Sequence, residues 1–221
     1  PKDAPKSIPA MGKTMAVAAS GKTAALRPPT LQLGSLKYDD EIADFAAIGI
    51  VGREVKLSSF KGKPVLIAFW TGARNPGEDI LKLAATYRDQ GLAVWAINVG
   101  TERADFDAWA KANAAALGCT VTWDPAGKAV MESLSYMKFG IGMYPAFVAA
   151  DAEGRFRGGL IGMGPKVAGW ARQSLERAGV KLNAADKATV EQVMNEFVAA
   201  ARGGAVPAGM IQPKGNAGGM A

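Results

Sequence analysis

Arg74 and Asn75 stand where a continuous apolar run, Pro64-Val-Leu-Ile-Ala-Phe-Trp70, gives way to a helical pattern. An arginine and an asparagine at a helix N-terminus could receive a carboxylate or a phosphate, because free N–H groups and the helix dipole favour an anion there. The same stretch also reads without a ligand. Asn75 is a strong N-cap type, Pro76 suits the first helical position and Glu78 falls at the third, so Asn-Pro-Gly-Glu works as a capping-box-like start. Cys119 is the single cysteine, and the chain has no histidine. An intrachain disulfide is therefore impossible. Cys-His or Ser-His nucleophilic catalysis, a histidine-containing metal site and dithiol redox cycling are all disfavoured. Cys119 follows Gly118 at a helix-to-strand join, the ordinary place for a small buried hydrophobe. A reactive thiol needs a cation or a helix N-terminus, and no neighbour in sequence supplies one.

Three other groups of residues invite chemistry and lose it on inspection. Gly12-Lys13-Thr14 and Gly21-Lys22-Thr23 imitate a phosphate loop, but the glycine required five residues earlier is Ser7 in one and Ala16 in the other, with no strand before either. Met137, Met143 and Met163 could offer thioethers to Cu(I), yet without histidine or paired cysteine, core filling is the better account. The net charge of +6 is concentrated in the ends: Lys2, Lys6, Lys13, Lys22 and Arg27 oppose only Asp3, and Lys214 adds one more. The remainder is near neutral and shows no basic face interleaved with aromatics, which argues against nucleic acid. Basic ends could still touch an acidic protein or an anionic membrane surface. No cofactor or metal is expected.

Apolar residues make up 49% of the 221, enough for a packed core, and no apolar run approaches the ~18 residues of a membrane span. Residues 1–35, rich in Ala, Lys, Pro, Ser and Gly, read as an extended arm. Glu54 to Ser58 alternates as a short strand, and Pro64 to Trp70 reads as a central one. From Pro76 to about Gln90, Ile80, Leu83, Ala84 and Tyr87 recur at helical spacing. Leu92 to Val99 is a second buried strand, and Phe106, Trp109, Ala110, Ala114 and Leu117 mark a further helix. Thr120-Val-Thr-Trp123 alternates as a strand ending at the turn Asp124-Pro-Ala-Gly127, and a short helix from Val130 to Met137 follows. Ala146 to Ala149 and Arg155 to Ile161, across Asp151-Ala-Glu-Gly154, form a hairpin. A helix spans Pro165 to Ala178. This order is an α/β pattern with a parallel centre and an antiparallel edge. Beyond it, Val190, Val193, Met194, Phe197 and Val198 make an amphipathic helix over 189–202. That helix either packs on its own sheet or docks on a partner.

The order of elements, with Gly62-Lys-Pro-Val-Leu-Ile-Ala-Phe-Trp70 and Met143-Tyr-Pro-Ala-Phe-Val148, resembles the thioredoxin superfamily. Within it the chain is most similar to the exported thiol–disulfide oxidoreductases of the TlpA and ResA kind, relatives of the AhpC/TSA group. Residues 48–63 and Asp124-Pro-Ala-Gly-Lys128 match that group, and the similarity covers roughly residues 42–180. The resemblance implies a thioredoxin-like fold: a central mixed sheet flanked by helices over 36–183. An arm precedes it at 1–35, a helix follows at 184–203, and a Gly/Pro/Ala-rich tail closes it at 204–221. It places the paired catalytic cysteines at Arg74 and Gly77 and the preceding tryptophan at Ala73. The superfamily's buried acid falls at Ala68. None of these catalytic residues carries over. Pro145 matches the superfamily's cis-proline, which either only ends the loop before the edge strand or belongs to a polypeptide- or anion-binding groove at Trp70, Arg74, Asn75, Tyr144 and Pro145.

The expectation that follows is a redox-inactive, non-enzymatic interaction or assembly subunit. Its protein partners, including a membrane-associated complex, would be engaged through the arm, the C-terminal helix and the tail. The group's habit, together with a first residue that is not Met, points to a periplasmic or otherwise extracytoplasmic protein. Two alternatives remain: a thiol–disulfide or peroxide oxidoreductase using Cys119, and a small-anion or peptide binder at the Arg74 corner.

Overall fold

The computed structural model describes residues 28–72, 77–162 and 164–202. Its centre is the run that the sequence makes most apolar. Val65–Thr71 forms β5, whose first six residues are all buried. Before it come four short strands: β1 (Gln32–Leu33), β2 (Leu36–Lys37), β3 (Ala46–Gly49) and β4 (Glu54–Lys56). After it come α1 (Glu78–Tyr87), β6 (Ala93–Val99), α2 (Arg103–Leu117), β7 (Thr120–Trp123), α3 (Leu134–Phe139), β8 (Ala146–Ala150), β9 (Phe156–Ile161), α4 (Pro165–Arg177) and α5 (Ala184–Arg202). Seven strands pair in the order β4-β3-β7-β6-β5-β8-β9. β5, β6 and β7 run parallel, while β3, β4, β8 and β9 pair antiparallel at the sides.

Strand alternation sends side chains to two different cores. Val65, Ile67 and Phe69 pack with Phe45, Trp95 and Phe139, where Phe45 stacks on Trp95 at 4.9 Å. Leu66 turns the other way, toward Leu83, Trp170 and Leu175 under α1 and α4. Trp70 also faces that side and lies with Phe106 and Ala110 of α2.

Two local expectations are corrected. α1 begins at Glu78 with Gly77 in the cap position and no side-chain cap, so Glu78 is its first residue and not its third; Asn75 and Pro76 lie outside the described residues. Gly77 takes φ +109°, a conformation that glycine reaches without strain. The single helix read over Val130 to Met137 is a 3-10 turn, Val130–Glu132, followed by α3, because Ser133 interrupts and caps the second piece by accepting from the Tyr136 N–H. The hairpin turn is as read: the Asp151 carboxylate accepts from the N–H groups of Glu153 and Arg155 and is paired with Arg157.

Most of the arm expected at 1–35 lies outside the described residues, but residues 28–33 are packed. Thr30 is fully buried and its hydroxyl accepts from Arg177 at the end of α4. Leu33 belongs to the core beside β9. The tail expected at 204–221 lies outside the described residues.

The C-terminal helix packs on its own domain, against α4 rather than on the sheet itself. Gly169 opens a notch for it, since a Cβ there would stand 2.5 Å from Val193 Cγ1. Phe197 meets Trp170 edge-on at 5.7 Å. At the start of α5, the Asp186 carboxylate accepts from Tyr87 of α1, Arg172 of α4 and Asn183. Farther along, Glu196 pairs with Lys166 near the head of α4. α5 therefore climbs antiparallel to α4, from its foot to beyond its head.

Candidate functional site

The strand ends of β5, β6 and β8 create a rim where the expected groove would lie. Trp70 is there, but only 2% exposed, with its indole 5.3 Å from that of Trp109 on α2. Just above it, Gly72 is held from both sides: its N–H donates to Thr101 Oγ1 and its carbonyl accepts from Asn98 Nδ2. Thr101 is fastened in turn, because Trp123 Nε1 donates to its carbonyl at 2.7 Å. Arg74 and Asn75 lie outside the described residues.

Tyr144 and Pro145 approach the rim from the other face of the sheet. The Tyr144–Pro145 peptide bond is cis. The Tyr144 hydroxyl lies 2.6 Å from Ser135 Oγ, which lies 2.9 Å from Ser133 Oγ. Both serines are fully buried, so the phenol is anchored to α3. Close by, the Asp124 carboxylate is buried and accepts from the N–H groups of Ala126 and Leu134. Burial pushes its pKa above the usual carboxylate value, more than those two hydrogen bonds lower it. Trp70 and Tyr144 are thus brought to one rim but on opposite faces of the sheet, with Trp70 sealed beneath α2. They do not form two walls of one open groove.

Cys119 is elsewhere. Thr120 shares a rung with Trp95, and Trp95 with Ile67, four residues before Thr71. At about 3.3 Å per residue, Cys119 lies roughly 16 Å down the sheet from the rim. It borders a groove of about 460 Å³ between α1 and α2, lined by Ala84, Arg88, Val94, Ala114, Gly118 and neighbours. Arg88, whose guanidinium donates to the Gly118 carbonyl, is a cation that sequence proximity did not reveal. It does not activate the thiol: burial outweighs it and pushes the pKa up to about 11.

The AhpC/TSA family model matches residues 38–157, more than half of the chain. The chain belongs to the AhpC/TSA family. No curated protein sequence matches it. Among solved structures it is similar to a thiol:disulfide interchange protein described as DsbE from Chlorobium tepidum, with 25% identity, a TM-score of 0.53, and coverage of 65% of this chain and 99% of that one. The thioredoxin domain of a thiol–disulfide oxidoreductase from Bacteroides vulgatus is 24% identical, covering 58% and 91%, with a TM-score of 0.45. The exposed lipoprotein thioredoxin Etrx1 of Streptococcus pneumoniae is 23% identical, covering 61% and 98%, with a TM-score of 0.46. The fold is thioredoxin-like.

In this AhpC/TSA member the rim depends on residues that the sequence reading passed over. Asn98 is a polar residue inside the otherwise apolar run Leu92 to Val99, and that exception was the available signal. Thr101 carried none, because its role depends on where Gly72 comes to rest. The AhpC/TSA chain's one thiol is expected to react slowly with a maleimide at neutral pH. At a pKa of about 11 only a minute fraction is thiolate. Labelling followed by mass spectrometry should show a rate at least about tenfold below that of free cysteine in the same buffer, whose pKa is about 8.5. A rate equal to free cysteine's would contradict the half-buried placement of the thiol.

Proposed function

We propose that this protein is a redox-inactive member of its family, an interaction or assembly subunit that works outside the cytoplasm. The observation that carries the reading is the position of its only sulfur nucleophile. Cys119 sits at the far end of β7 from the β5–α1 corner, with its thiol held protonated by burial. A thioredoxin-type exchange needs a thiolate attacking a disulfide and a second thiol to resolve the mixed intermediate. With one cysteine in the chain the second thiol is missing.

Two further features support a role in assembly. The sequences at both ends, residues 1–27 and 203–221, are long and poor in large apolar residues, a composition that cannot build its own core. No helix among the described residues is long and apolar enough to cross a membrane; in this reading, protein partners or the basic arm make the contact with a membrane complex. The extracytoplasmic placement rests on likeness to exported oxidoreductases.

The test is enzymatic. The purified chain is expected to reduce neither insulin disulfides nor hydrogen peroxide above the background of dithiothreitol or glutathione alone. Turnover that disappears in Cys119→Ser would overturn the proposal. Mass spectrometry of proteins recovered with the native chain then identifies the partner, and a chain that elutes alone as a monomer counts against the assembly role.

A further inference from the structure

Among the described residues, two buried polar atoms of rim residues have no hydrogen-bond partner: Trp70 Nε1, a donor, and Asn98 Oδ1, an acceptor. They belong to residues paired in register on adjacent strands, with side chains on the same face of the sheet. Their residues are only 2% and 1% exposed. The orientation of the Asn98 amide is not arbitrary. Its Nδ2 donates to the Gly72 carbonyl at 3.2 Å, so the atom left over must be the oxygen.

No described residue satisfies either atom. Trp70 packs among Ala96, Phe106, Ala110 and Val121, none of which has a polar side-chain group, and the neighbouring indoles of Trp109 and Trp123 offer N–H donors but no acceptor. The other rim indole is treated differently, because Trp123 Nε1 reaches the Thr101 carbonyl. Trp95, deep in the opposite core, gives its N–H to Thr122 Oγ1 at 2.9 Å. Buried polar groups are rarely left without a partner, and where the protein supplies none an internal water commonly does. A donor and an acceptor on residues that face each other across neighbouring strands would both be satisfied by a ligand that accepts one hydrogen bond and donates another. Water is the smallest molecule that does both.

We propose that Trp70 and Asn98 form a binding site for one internal water molecule, held between the indole N–H and the carboxamide oxygen. The water completes a chain of hydrogen bonds running from Trp123 through Thr101 and Gly72 to Asn98. It fixes the Asn98 rotamer, and through Asn98 it fixes the carbonyl of Gly72, the last described residue before the β5–α1 corner. The occupant of a side-chain pair at the strand ends thus sets the backbone at Gly72.

A crystal structure of the full chain, refined where ordered waters are visible, is the direct test. The expected map has a solvent peak at about 2.7–3.2 Å from both Trp70 Nε1 and Asn98 Oδ1. In solution, Trp70→Phe removes the donor while keeping an aromatic ring. The Gly72 amide should then exchange with solvent about fivefold faster, the equivalent of one net hydrogen bond, while the Ile97 amide keeps its native rate. A map with no peak between the two atoms overturns the site. Gly72 exchange that is identical in Trp70→Phe and native protein overturns the coupling to Gly72.

Discussion

Gly158→Ala is expected to destabilise the protein by about 3 kcal/mol, adding backbone strain to overpacking. Gly158 sits in β9 with φ +155°, a conformation that L side chains rarely adopt. A Cβ at this position would stand 2.2 Å from Ser174 Oγ and 2.8 Å from Ser174 Cβ on α4, and 3.4 Å from Thr30 Cβ. Rotating the serine relieves only the first contact. The second is fixed by the helix backbone, so either α4 moves off the sheet or the strand twists away. Urea denaturation gives the loss directly. Gly154→Ala is the matched control: it too has positive φ, +83°, but nothing lies within 4 Å of its Cβ position, so its cost is expected near 1 kcal/mol. Equal losses for the two variants would mean that the fit of β9 to α4 contributes nothing.

Asp186→Ala should cost about 3 kcal/mol, because it leaves the Arg172 guanidinium and the Tyr87 hydroxyl without their shared acceptor. Tyr87 and Arg172 come from α1 and α4, so one carboxylate ties the added helix to the domain at two points, while its bond with Asn183 closes the turn before α5. Burial pushes the Asp186 pKa up, but the bonds from Arg172, Tyr87 and Asn183 outweigh it and hold it below the ordinary value. The sign of the pH dependence follows. The folded state binds fewer protons than the unfolded chain near the ordinary carboxylate pKa, so the stabilisation is complete above about pH 4–5 and fades as pH falls through the folded value. Asp151, with its pKa lowered through Arg155 and Arg157 against its own burial, acts in the same direction. Asp124, raised by burial, acts in the opposite one. Thermal melts of native protein and Asp186→Asn should therefore differ most at neutral pH and converge toward pH 3. A difference that does not depend on pH would assign the loss to shape rather than charge.

How far the sequence foretold this structure depended on whether the deciding contacts were local. β7 was read at its observed bounds because Thr120-Val-Thr-Trp123 alternates and a turn follows at once. The β8–β9 hairpin was legible because Asp151 makes its turn bonds within its own loop. The segment 184–203 was set aside for α5, but its apolar period was legible only from Thr189, whereas the helix starts at Ala184: its first turn has no apolar period and is held by Tyr87, nearly a hundred residues away. The packing of residues 28–33 was invisible for the same reason, since it needs space left by Gly158 and Gly159. At the site, Trp70 and Tyr144 were singled out as residues of a groove, and both stand at the strand ends. Which face each would take, and that α2 would cover Trp70, depended on packing between elements distant in sequence. Cys119's neighbour Arg88 lies thirty residues away and could not be placed by spacing.

The two ends of the described chain leave from opposite poles. Thr30 is moored at the foot of α4 by Arg177, and α5 rises past the head of α4 beyond Glu196. Tension applied between the two ends would pass through α4, on which both are seated, so the Arg177–Thr30 contact and the packing of α5 on α4 would carry the load while the ladders joining β5 to β6 and β8 lie off its path.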